Sequence, residues 1–135
     1  MPHIAIEYTA NLVDSLDVPT LVDALHSTAQ RSEVFPHWGI RTFASTVDMF
    51  RIADDAVGGA NGYVHVRVKI AGGRDEETTR RIVDELYASL STALTDLCTA
   101  RPVGFQLEVF EFDPAITRSG GSIAGSPVFV PRPER

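Results

Sequence analysis

Pro2 stands directly behind Met1 and opens the apolar stretch Pro2-His3-Ile4-Ala5-Ile6-Glu7-Tyr8. Removal of the methionine would leave Pro2 as a free secondary amine, a group no other common residue gives a chain. Held at the root of a strand, that amine is a base or nucleophile in a fixed position. An α-amino group ordinarily titrates near about 7.7–8.0, so a base working at neutral pH needs that value lowered. Apolar surroundings and nearby cations both disfavour the protonated amine. Ile4, Ile6 and an aromatic such as Trp38 or Phe50 would supply the apolar part. Taken alone, Pro2 reads better as a proline that merely happens to come second.

Other reactive side chains form no pattern of their own. Cys98 is the only cysteine, so no disulfide can form within the chain, and it falls on the apolar face of a helical segment as a structural thiol. His3, His37 and His65 lack metal-ligand spacing, and no metal site is expected. Ser45, Asp48 and a histidine resemble a hydrolase triad only on paper, because no nucleophile elbow is present. The Gly72-Gly73 turn lacks the Lys-Ser/Thr ending of a phosphate loop and is followed by acids that would repel a phosphate.

Clear patterning marks the elements that must position these groups. Ile4, Ile6 and Tyr8 alternate with polar neighbours as in a half-buried strand. Pro19 suits the first turn of a helix that carries Leu21, Val22, Leu25 and Ala29 on one stripe as far as Arg31. Phe35-Pro36-His37-Trp38-Gly39 interrupts, and Ile40 to Ile52 reads as one long strand. Beyond Gly58-Gly59-Ala60-Asn61-Gly62, the residues Val64, Val66, Val68 and Ile70 form the cleanest period of two in the chain. Asp75, Glu76 and Glu77 suit the positive start of a long helix, on which Ile82, Leu86, Leu90, Leu94 and Leu97 recur at helical spacing. Arg101-Pro102 stops that helix, and Val103, Phe105, Leu107 and Val109 alternate as a last strand. The tail from Pro114 is rich in Gly, Ser and Pro and carries the apolar patch Pro127-Val128-Phe129-Val130.

Strand, helix and strand therefore occur twice. The expectation is an α+β fold, a single domain over 1–135 in which two β-α-β units form a four-stranded mixed sheet with both helices on one face. At 135 residues such a chain buries roughly two-thirds of its unfolded surface. Apolar residues on both sides of several strands would leave the other sheet face uncovered, which implies a homo-oligomer. The tail 114–135, with Val128 to Val130, is the candidate subunit contact. A net charge of -6 argues against nucleic acid, though converging arginines could still bind a small anion. No stretch has the apolar length of a membrane span and no leader pattern is visible, so the expected location is cytoplasmic, without membrane partners.

Three segments in register, Met1-Pro2-His3-Ile4-Ala5-Ile6-Glu7-Tyr8, Phe35-Pro36-His37-Trp38-Gly39-Ile40-Arg41 and Val64-His65-Val66-Arg67-Val68-Lys69-Ile70-Ala71-Gly72-Gly73-Arg74, resemble the 5-carboxymethyl-2-hydroxymuconate isomerase family of the tautomerase superfamily. The likeness covers about the first 112 residues. It implies a cofactor-free tautomerase of aromatic catabolism, assembled as a trimer, whose Pro2 moves a proton between the enol oxygen and a distant carbon of a small conjugated carboxylate. Motif by motif, Arg41 and Arg74 take the places of the carboxylate-binding arginines; the planar, permanently charged fork of arginine suits that task. Without the family match, Arg41 reads as a strand-surface ion-pair partner. Phe43 departs from the family, where many relatives have a second basic residue, and leaves the substrate's carboxylate pattern open. The resemblance also admits a decarboxylase or dehalogenase of the same superfamily, or a trimeric binding protein without turnover if Met1 is retained.

Overall fold

The computed structural model describes residues 2–127. The elements are β1 (His3–Thr9), α1 (Val18–Arg31), β2 (Arg41–Val47), β3 (Gly62–Ala71), α2 (Glu76–Ala100) and β4 (Val103–Phe112), with short 3₁₀ turns at Ala10–Leu12, His37–Gly39 and Pro114–Ile116. Their sheet order is β2-β1-β3-β4. β1 and β2 pair in parallel, as do β3 and β4, while β1 and β3 meet antiparallel with His3 opposite Lys69. The doubled β-α-β reading therefore holds, with the two units joined at their first strands.

Both helices start where the sequence supplies caps. Asp17 accepts from the Thr20 N–H at 3.1 Å, and Asp75 accepts from the Thr78 N–H at 2.7 Å, satisfying donors that a helix start leaves unpaired. Each helix lays one stripe on the same sheet face. Leu21 and Leu25 of α1, and Ile82, Leu86, Leu90 and Leu94 of α2, join Ile4, Ile6, Val64, Val66, Val68 and Ile70 in one buried cluster. Cys98 flanks this core, and its thiol lies 3.6 Å from the Val103 carbonyl. Among the described residues, no helix is long and apolar enough to cross a membrane.

Two expectations need correction. The strand expected from Ile40 to Ile52 begins at Arg41 and ends at Val47. After Val47 the chain turns away into a loop organised by polar side chains. Asp55 accepts from the N–H groups of Ala56 and Asn61, while Asn11 reaches across to donate to the carbonyls of Gly59 and Asn61, each at 3.0 Å. Gly59 is required here, because a Cβ would overlap the Asp55 carboxyl.

The second correction concerns the uncovered sheet face, which is not broadly apolar. Tyr63, His65, Arg67 and Lys69 of β3 point there, opposite the core valines. Across strands, His65 lies between Glu7 at 3.5 Å and Glu108 at 2.7 Å, and the Arg67 guanidinium lies 5.5 Å from the centre of the Phe110 ring. Phe43, 58% exposed, and Phe110, 42% exposed, are the large apolar groups standing among them. The patch Val128 to Val130 lies outside the described residues.

Candidate active site

The pairing pattern gathers one end of the sheet. The starts of β1 and β2 and the ends of β3 and β4 lie together, because β1 runs parallel to β2 and antiparallel to β3. Pro2 lies there, buried, immediately before β1. Its carbonyl accepts from the Arg41 N–H at 3.3 Å, so the first residue of β2 is hydrogen-bonded to it.

The Arg41 side chain is held at two corners. Nε donates to His3 Nδ1 at 2.9 Å, and a terminal nitrogen donates to the Gly39 carbonyl at 3.3 Å. Since the arginine Nε is always a donor, His3 Nδ1 must be the unprotonated ring nitrogen. The chemistry around it agrees: burial first, then the charges of Arg41 and Lys69, lower the His3 pKa below its ordinary 6.5.

Arg74 comes to the same end by another route. Gly72 donates its N–H to the Phe112 carbonyl at 2.9 Å, and Gly73 turns the chain with a φ of +108°, a conformation that side chains with a Cβ rarely adopt. The guanidinium then donates to the Ala71 carbonyl at 2.7 Å and stacks over Phe35, 5.0 Å from the ring centre. Pro2 and Arg41 are thus in direct main-chain contact, while Arg74 shares their end of the sheet and hydrogen-bonds to neither.

Trp38 also belongs to this end. Together with Ala71, Phe112, Pro114, Thr117, Ser119 and Pro127 it lines a cavity of about 200 Å³. The first part of the tail therefore folds back beside the strand ends. Phe50 does not: with Tyr8, Val47, Ile52, Tyr63 and His65 it lines a separate cavity of about 150 Å³ at the opposite end. Of the two aromatics offered for the surroundings of Pro2, Trp38 is the one at this end of the sheet; β2 stops before Phe50, and the following loop carries that ring away. A depression of about 730 Å³ between α1 and α2 contains none of the candidate residues. No group of His, Cys, Asp or Glu among the described residues is arranged to hold a metal ion.

His3 is the residue that sequence reasoning undervalued. The parallel pairing that begins at Arg41 sets His3 and Arg41 side by side on one face. A proline at the root of a strand, arginines at the same end and a doubled β-α-β sheet define a tautomerase-like fold. Comparison with known proteins gives the family: the chain belongs to the 5-carboxymethyl-2-hydroxymuconate isomerase family, which matches residues 2–125.

A 5-carboxymethyl-2-hydroxymuconate Delta-isomerase of Escherichia coli is 29% identical over 118 residues, covering 86% of this chain and 90% of the relative. The crystal structure of a 5-carboxymethyl-2-hydroxymuconate isomerase from Deinococcus radiodurans R1 superposes with a TM-score of 0.80 at 31% identity, with 90% of each chain covered. The same fold, at 13% identity and a TM-score of 0.60, occurs in a fused 4-OT described as a symmetric trimer, over 85% of this chain and 91% of that one.

Proposed function

We propose that this chain is a cofactor-independent isomerase that converts a 2-hydroxymuconate-type enol carboxylate into its 2-oxo isomer, as its relatives' names suggest, in the breakdown of aromatic compounds. With Met1 removed, the Pro2 nitrogen takes the proton of the enol hydroxyl. The oxygen electron pair becomes a carbonyl, the double bonds shift along the conjugated system, and the distant carbon takes the proton back from the proline ammonium. Nothing is gained or lost overall, so no redox partner is needed.

Arg41 and Arg74 bind the substrate's carboxylates and stabilise the negative charge that develops on the enolate. The observation that supports this reading is the main-chain junction of Pro2 and Arg41 at the end of the sheet that also carries Arg74.

The acting assembly is a homotrimer in this proposal. A single chain leaves Phe43, Met49, Ile116 and Ile123 exposed, which supports burial against further copies. The decisive experiment has two parts. Intact-mass measurement should find Met1 absent, and a Pro2→Ala variant processed in the same way should lose about 10²- to 10⁴-fold in turnover of 2-hydroxymuconate while keeping its circular dichroism. Full activity in that variant, or an active protein that retains Met1, would overturn the mechanism.

A further inference from the structure

Pro2 and the arginines leave one polar contact at this end of the sheet unexplained. His3 follows the proline, points away from the core beside Arg41, and accepts the Arg41 Nε–H at 2.9 Å. We propose that His3 is a positioning residue for Arg41, accepting the hydrogen bond of its Nε–H so that the remaining guanidinium donors face the substrate carboxylate. The inference rests on the reading of Arg41 as a carboxylate binder.

Geometry carries it. Two acceptors, His3 Nδ1 and the Gly39 carbonyl, meet two different nitrogens of one planar group, and two fixed corners define the plane of a guanidinium. A flexible side chain is thereby pre-organised before any ligand arrives. The imidazole is itself held, since Phe43 stands edge-on to it with ring centroids 5.0 Å apart at 85°. Phe43 occupies the place where a second basic residue was expected. This chain thus has one cation fewer on that strand, and an aromatic brace for the histidine that orients the one it keeps.

The arrangement works only with neutral His3. The charged groups facing it are Arg41 from β2 and, from β3, Lys69 directly opposite and Arg67 one pair further along; Glu7, on its own strand, is turned to His65. Cations therefore surround the imidazole and keep it in the accepting form. Protonation at low pH would set two donors against each other and release Arg41.

Nitrogen-15 NMR of the full-length protein tests this, together with two substitutions. Asn at position 3 can present an amide oxygen near the site of Nδ1, whereas Leu cannot. Slow exchange of the Arg41 Nε–H is expected in wild type and His3→Asn and fast exchange in His3→Leu. The KM for 2-hydroxymuconate should rise about tenfold in His3→Leu with little change in kcat, the loss of one hydrogen bond to a charged group, and return toward wild type in His3→Asn. In wild type that KM should also climb on acidification as His3 takes up a proton, and stay flat in His3→Asn.

An Arg41 Nε–H as labile in wild type as in His3→Leu would overturn the proposal, as would an unchanged KM in His3→Leu. Should His3→Leu not fold, the wild-type exchange and the titration of the His3 ring decide by themselves. Full turnover by Pro2→Ala would sink the proposed mechanism instead, and would leave the exchange result standing.

Discussion

Arg41 and Arg74 share a side-chain type and an end of the sheet, yet they are held differently. Arg41 is tied by its Nε and a terminal nitrogen, Arg74 by one carbonyl and an aromatic face. Lysine, with a single nitrogen, cannot hold the two corners that fix Arg41. Arg41→Lys is therefore expected to raise the KM for a dicarboxylate about tenfold, despite keeping the charge, in steady-state assays. His3 gives a second outcome, on stability. Its folded-state pKa lies below 6.5, so between the two values the unfolded chain binds more protons than the folded one. The stability it contributes is complete above 6.5 and is lost as pH falls through the folded value. Thermal melts from about pH 7 to about pH 5 should show wild type losing more stability than His3→Asn. Pro2, Arg41 and Arg74 were legible as motifs, but the His3–Arg41 bond needs the pairing of two strands 38 positions apart. No local pattern encodes it.

At the scale of elements, what the sequence made plain was whatever repeats. β3 was unambiguous because every second residue from Val64 to Ile70 is fully buried. α2 was equally clear because its apolar stripe runs for several turns. Leu90, at 0% exposure in the middle of that stripe, should cost about 2–5 kcal/mol when changed to Ala, measured by urea unfolding. β2 was misjudged because Phe50 and Ile52 continue its apolar composition without belonging to its ladder. The loop beyond the strand is held by a long-range polar clasp: Asn11 from after β1 holds the carbonyls of Gly59 and Asn61, and Arg101 from the end of α2 donates to the Asn11 carbonyl at 2.9 Å. Asn11→Ala strands those carbonyls and should loosen the segment 52–61, seen as faster amide exchange there with little change at β3.

For the molecule as a whole, the open sheet face combines polar and charged side chains with exposed Phe43 and Phe110. A face of that kind suits an interface whose polar groups set the register and whose aromatic groups supply the buried area. Light scattering is expected to give three times the mass of one chain, and Phe110→Glu, which sets a carboxylate where the ring was, should shift it toward monomer. A monomeric wild type would refute the trimer.

The doubling of the β-α-β unit has its own consequence. Residue His3 of the first unit stands opposite Arg41, and Gly62 of the second unit occupies the corresponding strand start opposite Val103. Both halves offer the same scaffold corner, but a chain has a single beginning, and Gly62 enters its strand through an ordinary amide. The second corner can therefore never become basic by methionine removal. An amine-directed inactivator of turnover should accordingly count one working centre per chain, however symmetric the two halves look.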